Sequence, residues 1–253
     1  MLSIDLNCDM GESTELWPYR IGKDFEMLNY ISSVNIACGY HAGDAETMRL
    51  IAEASIKNDI AIGVHPSFPD RKNFGRSNIE LSHQRIYEIV SQQIWLMNDI
   101  LKMPGARLHH VKPHGALYNM AAKDKMLAGA ICKAVKDFDK EIILYGLSGS
   151  ELINAANEIG LKTCSEVFAD RTYQDDGSLT PRTDPNALIE DVDEAAKQVL
   201  QMINKETVIS SSGKEILIKA ETICIHGDGK HAIGLAKRIN QSLLQNGTAI
   251  KAS

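Results

Sequence analysis

The sequence predicts an α/β protein in which parallel strands close, or nearly close, into one barrel with helices outside it. Three observations carry this. The apolar residues alternate between strand and helix periodicity along almost the whole chain. Seven such strand-like runs recur with no evident linker between them. Six times a short apolar run ends in a cluster of Asp, Asn, Glu, His, Lys or Arg. Ligands and catalytic groups of α/β proteins gather at the carboxyl ends of parallel strands. A doubly wound sheet is the other arrangement this rhythm allows. Residues 1–253 read as a single domain.

Taken in order, strands are expected at 2–9, 34–39, 60–65, 107–112, 141–146, 162–168 and 221–226. Between them, 43–58 places Met48, Ile51, Ala52 and Ile56 at helical spacing, and 82–102 places Ile86, Ile89, Val90, Ile94, Met97 and Leu101 on one face. Residues 123–137, 149–159, 185–203 and 229–246 repeat the pattern. Ser82 and Asp184-Pro185 are helix starts by residue type, and Gly160 is a helix end. Residues 205–220 break the rhythm: two β-rich runs around Ser212-Gly213-Lys214 read as a small hairpin inserted before the last strand.

Composition is that of a globular protein, 44% hydrophobic and 24% charged, and a net charge of −6 with no basic-aromatic run argues against nucleic acid as ligand. No stretch approaches the roughly 20 apolar residues of a membrane span, and the start lacks a signal-peptide pattern, so a cytoplasmic protein is expected. Cys8, Cys38, Cys132, Cys164 and Cys224 are odd in number and form no CxxC pair. They read as small buried hydrophobes, with a thiol near the site as the other reading.

Alternation divides the polar clusters from the core. Ile4, Leu6 and Cys8 share one face of the first strand, and Asp5, Asn7 and Asp9 share the face that looks into the barrel. By the same parity Lys112 projects with His114, and His226 with Asp228. Asp5 and Asn7 are equally suited to satisfying hydrogen bonds within the barrel. His109 and His110 lie on opposite faces, so at least one is structural. His83 at a helix start and His231 in a late helix read as solvated, and Asp191, Asp193 and Glu194 as a solvated helix face. Asp170-Arg171 reads alternatively as a structural ion pair at a strand end.

Six runs resemble the signatures of the LamB/YcsF family. They are Asp5-Leu6-Asn7-Cys8-Asp9-Met10-Gly11-Glu12, Asn35 through Asp44, His65 through Asp70 with Phe74-Gly75-Arg76, Lys112 through Asn119, Glu166 through Arg171, and His226-Gly227-Asp228. Six long signatures in one order are far more specific than a lone motif. The resemblance implies a distorted TIM-like (β/α) barrel related to the glycoside hydrolase and deacetylase superfamily. It also implies ATP-dependent opening of the lactam of 5-oxo-L-proline to L-glutamate, together with 5-oxoprolinase subunits B and C. Mg2+ and ATP would then be co-substrates of the complex, and no tightly bound cofactor is expected. Self-association is left open.

That chemistry needs a base for water, an acid for the ring nitrogen, and cations for carboxylate and phosphate. Asp9, His65 and His114 are the proton-transfer candidates. Lys112 is the first choice of anion holder, followed by Arg171, Arg76 and Arg182. Asn7, Glu12, His41, Asp170, His226 and Asp228 complete the expected substrate- and anion-binding set.

Two other functions compete. In a metal-dependent, carbohydrate-deacetylase-like hydrolase, Asp9, His41 and His65 at successive strand ends would hold a divalent ion, although no HExxH is present. In a non-catalytic assembly protein the clusters would be scaffolding. Ser212-Gly213-Lys214-Glu215 is not a phosphate-binding P-loop, which points to partner subunits for handling ATP.

Overall fold

A computed structural model describes residues 2–15, 21–102, 105–227 and 232–253. The strands are β1 (Ser3–Met10), β2 (Ser33–Ala37), β3 (Ala61–His65), β4 (His110–Val111), β5 (Ile143–Leu147), β6 (Lys162–Phe168), β7 (Thr207–Ile209), β8 (Glu215–Leu217), β9 (Thr222–Ile225) and β10 (Ala249–Ile250). The helices are α1 (Ile21–Met27), α2 (Ala45–Lys57), α3 (His83–Lys102), α4 (Gly115–Ala121), α5 (Lys125–Phe138), α6 (Glu151–Glu158), α7 (Val192–Lys205) and α8 (Ala232–Gln245). Strands β1-β2-β3-β4-β5-β6-β9 pair in parallel, and β9 returns to β1, which closes a seven-stranded barrel. The short β10 adds to the start of β1 through Ser3↔Ala249 and Ile4↔Ile250. The expected hairpin is present: β7 and β8 pair antiparallel with Val208 opposite Ile216.

The core lies between the strands and the helices. Ile4, Leu6, Cys8 and Met10 are buried on the outer face of β1, and α3 buries Ile86, Ile89, Val90, Ile94, Met97 and Leu101. Each fully buried side chain of this size contributes about 1.5–3 kcal/mol. All five cysteines are buried and unpaired. Among the described residues no helix is long and apolar enough to cross a membrane.

The barrel interior is polar. Asp5 accepts from Ser32 Oγ, Ser33 Oγ and Thr222 Oγ1, each at 2.6 Å, and from Tyr145 OH at 2.9 Å. Further along the same face of β1, Asn7 donates to Glu166 Oε1 at 3.0 Å and Thr222 Oγ1 at 2.7 Å. Buried polar groups are tolerable when paired in this way.

Local signals explain most helix ends. Asp44 accepts from Thr47 N at 2.8 Å to start α2, Ser82 Oγ accepts from Arg85 N at 3.2 Å beside α3, and Gly160 at φ 75° follows α6. The expected start at Asp184-Pro185 is not a helix start. Asp184 Oδ1 accepts from Asn186 N in a turn, and the helix begins at Val192, where Asp191 Oδ1 accepts from Asp193 N and Glu194 N. Asp191 is therefore a cap, and residues 171–191 form a loop over the barrel mouth, tied by Arg171↔Leu188 and Tyr173↔Leu179 bridges. The short helices α1 and α4 and the strand β10 were not expected from the sequence, and β4 is shorter than 107–112.

Candidate active site

The carboxyl ends of β1, β3, β4, β6 and β9 deliver polar side chains to one cavity of about 490 Å³. Asp9, Glu12, His65, Lys112, His114 and His226 form its inner part, and Arg76, Lys123, Arg171 and Arg182 lie among its lining. Asn119, Phe168 and Thr180 also face it. Asp228 and His231 fall outside the described residues.

Lys112 is the buried centre. Its Nζ lies 2.8 Å from Asp9 Oδ1 and 2.8 Å from Glu166 Oε1, donates to Asn7 Oδ1 at 3.2 Å, and reaches Cys224 Sγ at 3.1 Å. An ammonium has three hydrogens, and these acceptors take all of them. Burial opposes its charge, but Asp9, Cys224 and Glu166 together raise its pKa well above the ordinary lysine value. A cation so committed holds the two carboxylates in place; it has no spare hydrogen for a substrate anion. Glu166, which lies in one of the six signatures but not in the expected site set, also accepts from Tyr118 OH at 2.7 Å.

Asp9 uses its oxygens differently. Oδ1 accepts from Lys112 Nζ and from Asn35 Nδ2, both at 2.8 Å, while Oδ2 lies 3.3 Å from His65 Nε2. Burial pushes its pKa up, but the charges of His65 and Lys112 hold it well below the usual carboxylate range.

Partners that only accept fix two histidine tautomers. His65 Nδ1 donates to the Lys112 main-chain oxygen at 2.7 Å, and His114 Nε2 donates to the Phe74 main-chain oxygen at 2.9 Å. Their remaining nitrogens, His65 Nε2 and His114 Nδ1, face each other at 3.0 Å. Two bare lone pairs at that distance repel, so one proton lies between the rings. Burial lowers both pKa values, but Asp9 raises that of His65 above its ordinary value, whereas His114 stays low despite Glu12. The proton therefore belongs chiefly to His65.

Glu12 reaches this pair from the turn after β1. Its Oε1 is 3.1 Å from His41 Nε2, 3.2 Å from His114 Nδ1 and 3.7 Å from His65 Nε2. His114 and His41 hold its pKa below the ordinary value against burial. Burial and then His114 depress His41 to about 3, so its ring is neutral. Gln93 grips Ser67 through Ser67 N→Oε1 and Nε2→Ser67 O, both 2.9 Å, and Ser67 Oγ meets His41 Nδ1 at 2.8 Å. Gly75, at φ 64°, is required beneath these rings: a Cβ there would sit 2.9 Å from His114 Cδ2 and 2.9 Å from His41 Cβ.

The donor atoms of Glu12, His41, His65 and His114 lie within 4.8 Å of one another, as do those of Asp9, Cys224 and His226. Only His41 and His65 of the three sequence-expected ligands enter the first group, with Asp9 beside it. The His41 and His114 rings stack at 3.8 Å with 6° between planes. Imidazole coordinates in its ring plane, and one ion cannot lie in two parallel planes. In this arrangement the first group offers an ion at most Glu12, His65 and one of the stacked pair.

Asp170 and Arg171 do not pair with each other. Asp170 accepts from His226 Nδ1 at 2.9 Å through both oxygens, orienting that ring against Phe168. Arg171 is buried and donates to the Ala187 and Thr180 main-chain oxygens, so it fastens the 171–191 loop while lining the cavity. Burial, with Arg182 nearby, lowers its pKa to about 10. Arg76 and Arg182 are exposed at the cavity, the former stacked over Phe74 at 4.9 Å. His83 is exposed at the start of α3 and does not line the cavity.

Comparison with known proteins agrees with the signatures at these strand ends: the LamB/YcsF family matches residues 4–253. The chain belongs to the LamB/YcsF family. This family member is 51% identical over 252 residues to the 5-oxoprolinase A-subunit of Tolumonas auensis, with 100% of both chains covered. It is also similar to the crystal structure of the lactam utilization protein from Thermus thermophilus, at 37% identity, 100% coverage of both chains and TM-score 0.93. A GH20 catalytic module of the pneumococcal exo-β-D-N-acetylglucosaminidase StrH shares the fold alone, at 10% identity, 96% of this chain, 82% of that one and TM-score 0.51.

Proposed function

We propose that this chain is the A-subunit of an ATP-dependent 5-oxoprolinase, EC 3.5.2.9, opening 5-oxo-L-proline to L-glutamate with 5-oxoprolinase subunits B and C. The observation that carries the reading is the meeting of an ionised carboxylate, Asp9, with a proton-holding histidine pair at the floor of one cavity. A lactam C–N bond needs both a base for water and an acid for the departing nitrogen. The names of the relatives supply the substrate class.

In this reading ATP, with Mg2+, phosphorylates the lactam oxygen. Asp9 takes a proton from water as it adds to the activated carbon. The C–N bond then breaks as the His65–His114 pair gives its proton to the ring nitrogen, and the added hydroxyl releases its own proton to solvent as it becomes the acyl-phosphate carbonyl. A second water hydrolyses the acyl phosphate to carboxylate and phosphate. Arg76 and Arg182 attract the phosphoryl group and the substrate carboxylate, with Arg171 behind them. Lys112 keeps Asp9 ionised and fixed, a positioning role in place of direct anion binding. Asn7, His41, Glu12, Asp170 and His226 hold the reacting groups in register.

The test is reconstitution. Chain plus subunits B and C should release glutamate from 5-oxoproline only with Mg-ATP, and the chain alone should release little or none. No glutamate from the complete set refutes the reading. Full glutamate release by complexes in which Asp9, His65 and His114 are each replaced would make this chain an assembly component instead.

A further inference from the structure

A line of hydrogen bonds runs from the lower end of the barrel to Asp9, through residues outside the expected site set. His110 enters the barrel at the start of β4, and its ring stacks on Tyr145 at 4.1 Å. Its Nε2 lies 2.7 Å from Asn35 Oδ1, and its Nδ1 lies 3.1 Å from His109 Nδ1. His109 Nε2 in turn lies 2.9 Å from the Ser253 main-chain oxygen. Asn35 completes the line, donating from Nδ2 to Asp9 Oδ1 at 2.8 Å and to Asn7 Oδ1 at 2.7 Å.

The direction of all but one of these bonds follows from the two ends, which only accept. The Asp9 carboxylate only accepts, so Asn35 presents its amide nitrogen to Asp9 and its oxygen to His110. His110 Nε2 must then carry a hydrogen. His109 Nε2 donates to the Ser253 oxygen, so the two facing Nδ1 atoms share one further hydrogen; burial, and next to it His109 and Lys112, keep His110 from charging, which places that hydrogen on His109 and leaves His110 Nδ1 as the acceptor. Room for this line is made in β3: a Cβ on Gly63 would lie 2.1 Å from His110 Nε2.

We propose that His110 is a positioning residue for Asp9, acting through Asn35, with its neutral Nε2–H tautomer set by His109. Were His110 to present an acceptor, the Asn35 amide would turn over and aim its oxygen at Asp9 Oδ1 and Asn7 Oδ1. Held as it is, Asn35 shares Oδ1 with Lys112 and leaves Oδ2 for the His65 side. The consequence for turnover rests on Asp9 being the proton-handling carboxylate of the reaction proposed above; the tautomer itself does not.

Two measurements on the full chain test this. Ring-nitrogen NMR of the isolated wild-type protein should find His110 neutral with its hydrogen on Nε2. The other tautomer, or a doubly protonated ring, overturns the proposal whatever the reaction is. In the reconstituted complex, His110→Phe keeps an aromatic ring against Tyr145 but cannot donate, while His110→Gln can. His110→Phe should lower kcat about 10-fold or more with KM nearly unchanged, and His110→Gln should recover most of the loss. Equal losses in the two variants, or none in either, refute the positioning role. Failure of the wild-type complex to make glutamate would count against the proposed function, and the NMR result would still decide the tautomer.

Discussion

Replacing Lys112 by Met tests the central charge arrangement most directly. The side chain is 2% exposed, and its ammonium bridges Asp9 and Glu166 at 2.8 Å each. Methionine fills a similar volume but leaves two buried carboxylates without their shared cation. Breaking a buried ion pair from one side costs about 3–5 kcal/mol. In a domain of this size each kcal/mol shifts Tm by about 2–4 °C, so the melting temperature should fall by roughly 6–20 °C. Urea denaturation gives the free energy independently. Adding Glu166→Gln should return at least about 1 kcal/mol, because the two positions are coupled. The effect also depends on pH. The Asp9 pKa is lowered in the folded chain, so it adds stability above its unfolded value of about 3.9, and that stability is lost as pH falls through the lower folded value. Without Lys112 part of that gain disappears, so wild type and variant should converge as pH drops below about 4. A Lys112→Met protein less than about 1 kcal/mol weaker than wild type at neutral pH would refute the assignment of Lys112 as the counter-ion of this site.

Three further outcomes are expected. Asp9→Asn keeps the acceptor for Asn35 but loses the charge facing Lys112 and His65, so the reconstituted complex should lose about 10²-fold or more in turnover, with His83→Ala as an unaffected control; near-normal turnover with a large loss of Tm would make Asp9 structural and not the base. Gly63→Ala should destabilise the chain by about 1–3 kcal/mol in urea, because its methyl meets the His110 ring; an unchanged midpoint would mean the ring moves aside freely. Elemental analysis of protein purified without added metal decides whether an ion displaces the proton of the His65–His114 contact: with that proton held as described, far less than one transition-metal ion per chain is expected, and a stoichiometric ion would overturn the proton assignment.

The barrel could be read from the sequence because alternation is strict where it matters. The inward Asp5, Asn7 and Asp9 and the outward Leu6 and Cys8 of β1 follow from spacing alone. The helices α1 and α4 escaped because each spans seven residues, too few for an apolar period to emerge, and α4 opens on a glycine at φ 55°. The late start of α7 escaped because Pro185 is as acceptable in a turn as at a helix start. Within the site, residue types were readable but their pairing was not. Asp170 and Arg171 are neighbours in sequence, yet one serves His226 and the other serves loop carbonyls. Lys112 looked like an anion holder because strand parity cannot reveal two carboxylates arriving from β1 and β6. The role of His110 depends on Asn35, 75 residues away, and on the missing side chain at Gly63.

Closure of the ring by β9 has a consequence for how the molecule is made. Asn7 and Thr222, bonded at 2.7 Å, are 215 residues apart, and Asp5 and Thr222 are 217 apart. At synthesis rates of about 5–20 residues per second, β1 emerges roughly 10–40 s before the strand that completes it. Throughout that interval β1 has one open edge and a row of polar groups lacking its last partners, a surface prone to pair with other chains. A nascent chain stopped before β9 lacks the closing strand, the threonine that satisfies Asp5 and Asn7, and the histidine at position 226. Completion of the ring and completion of the site are thus one event, and a protein interrupted late in translation would be exposed to aggregation before it had any chemistry to offer.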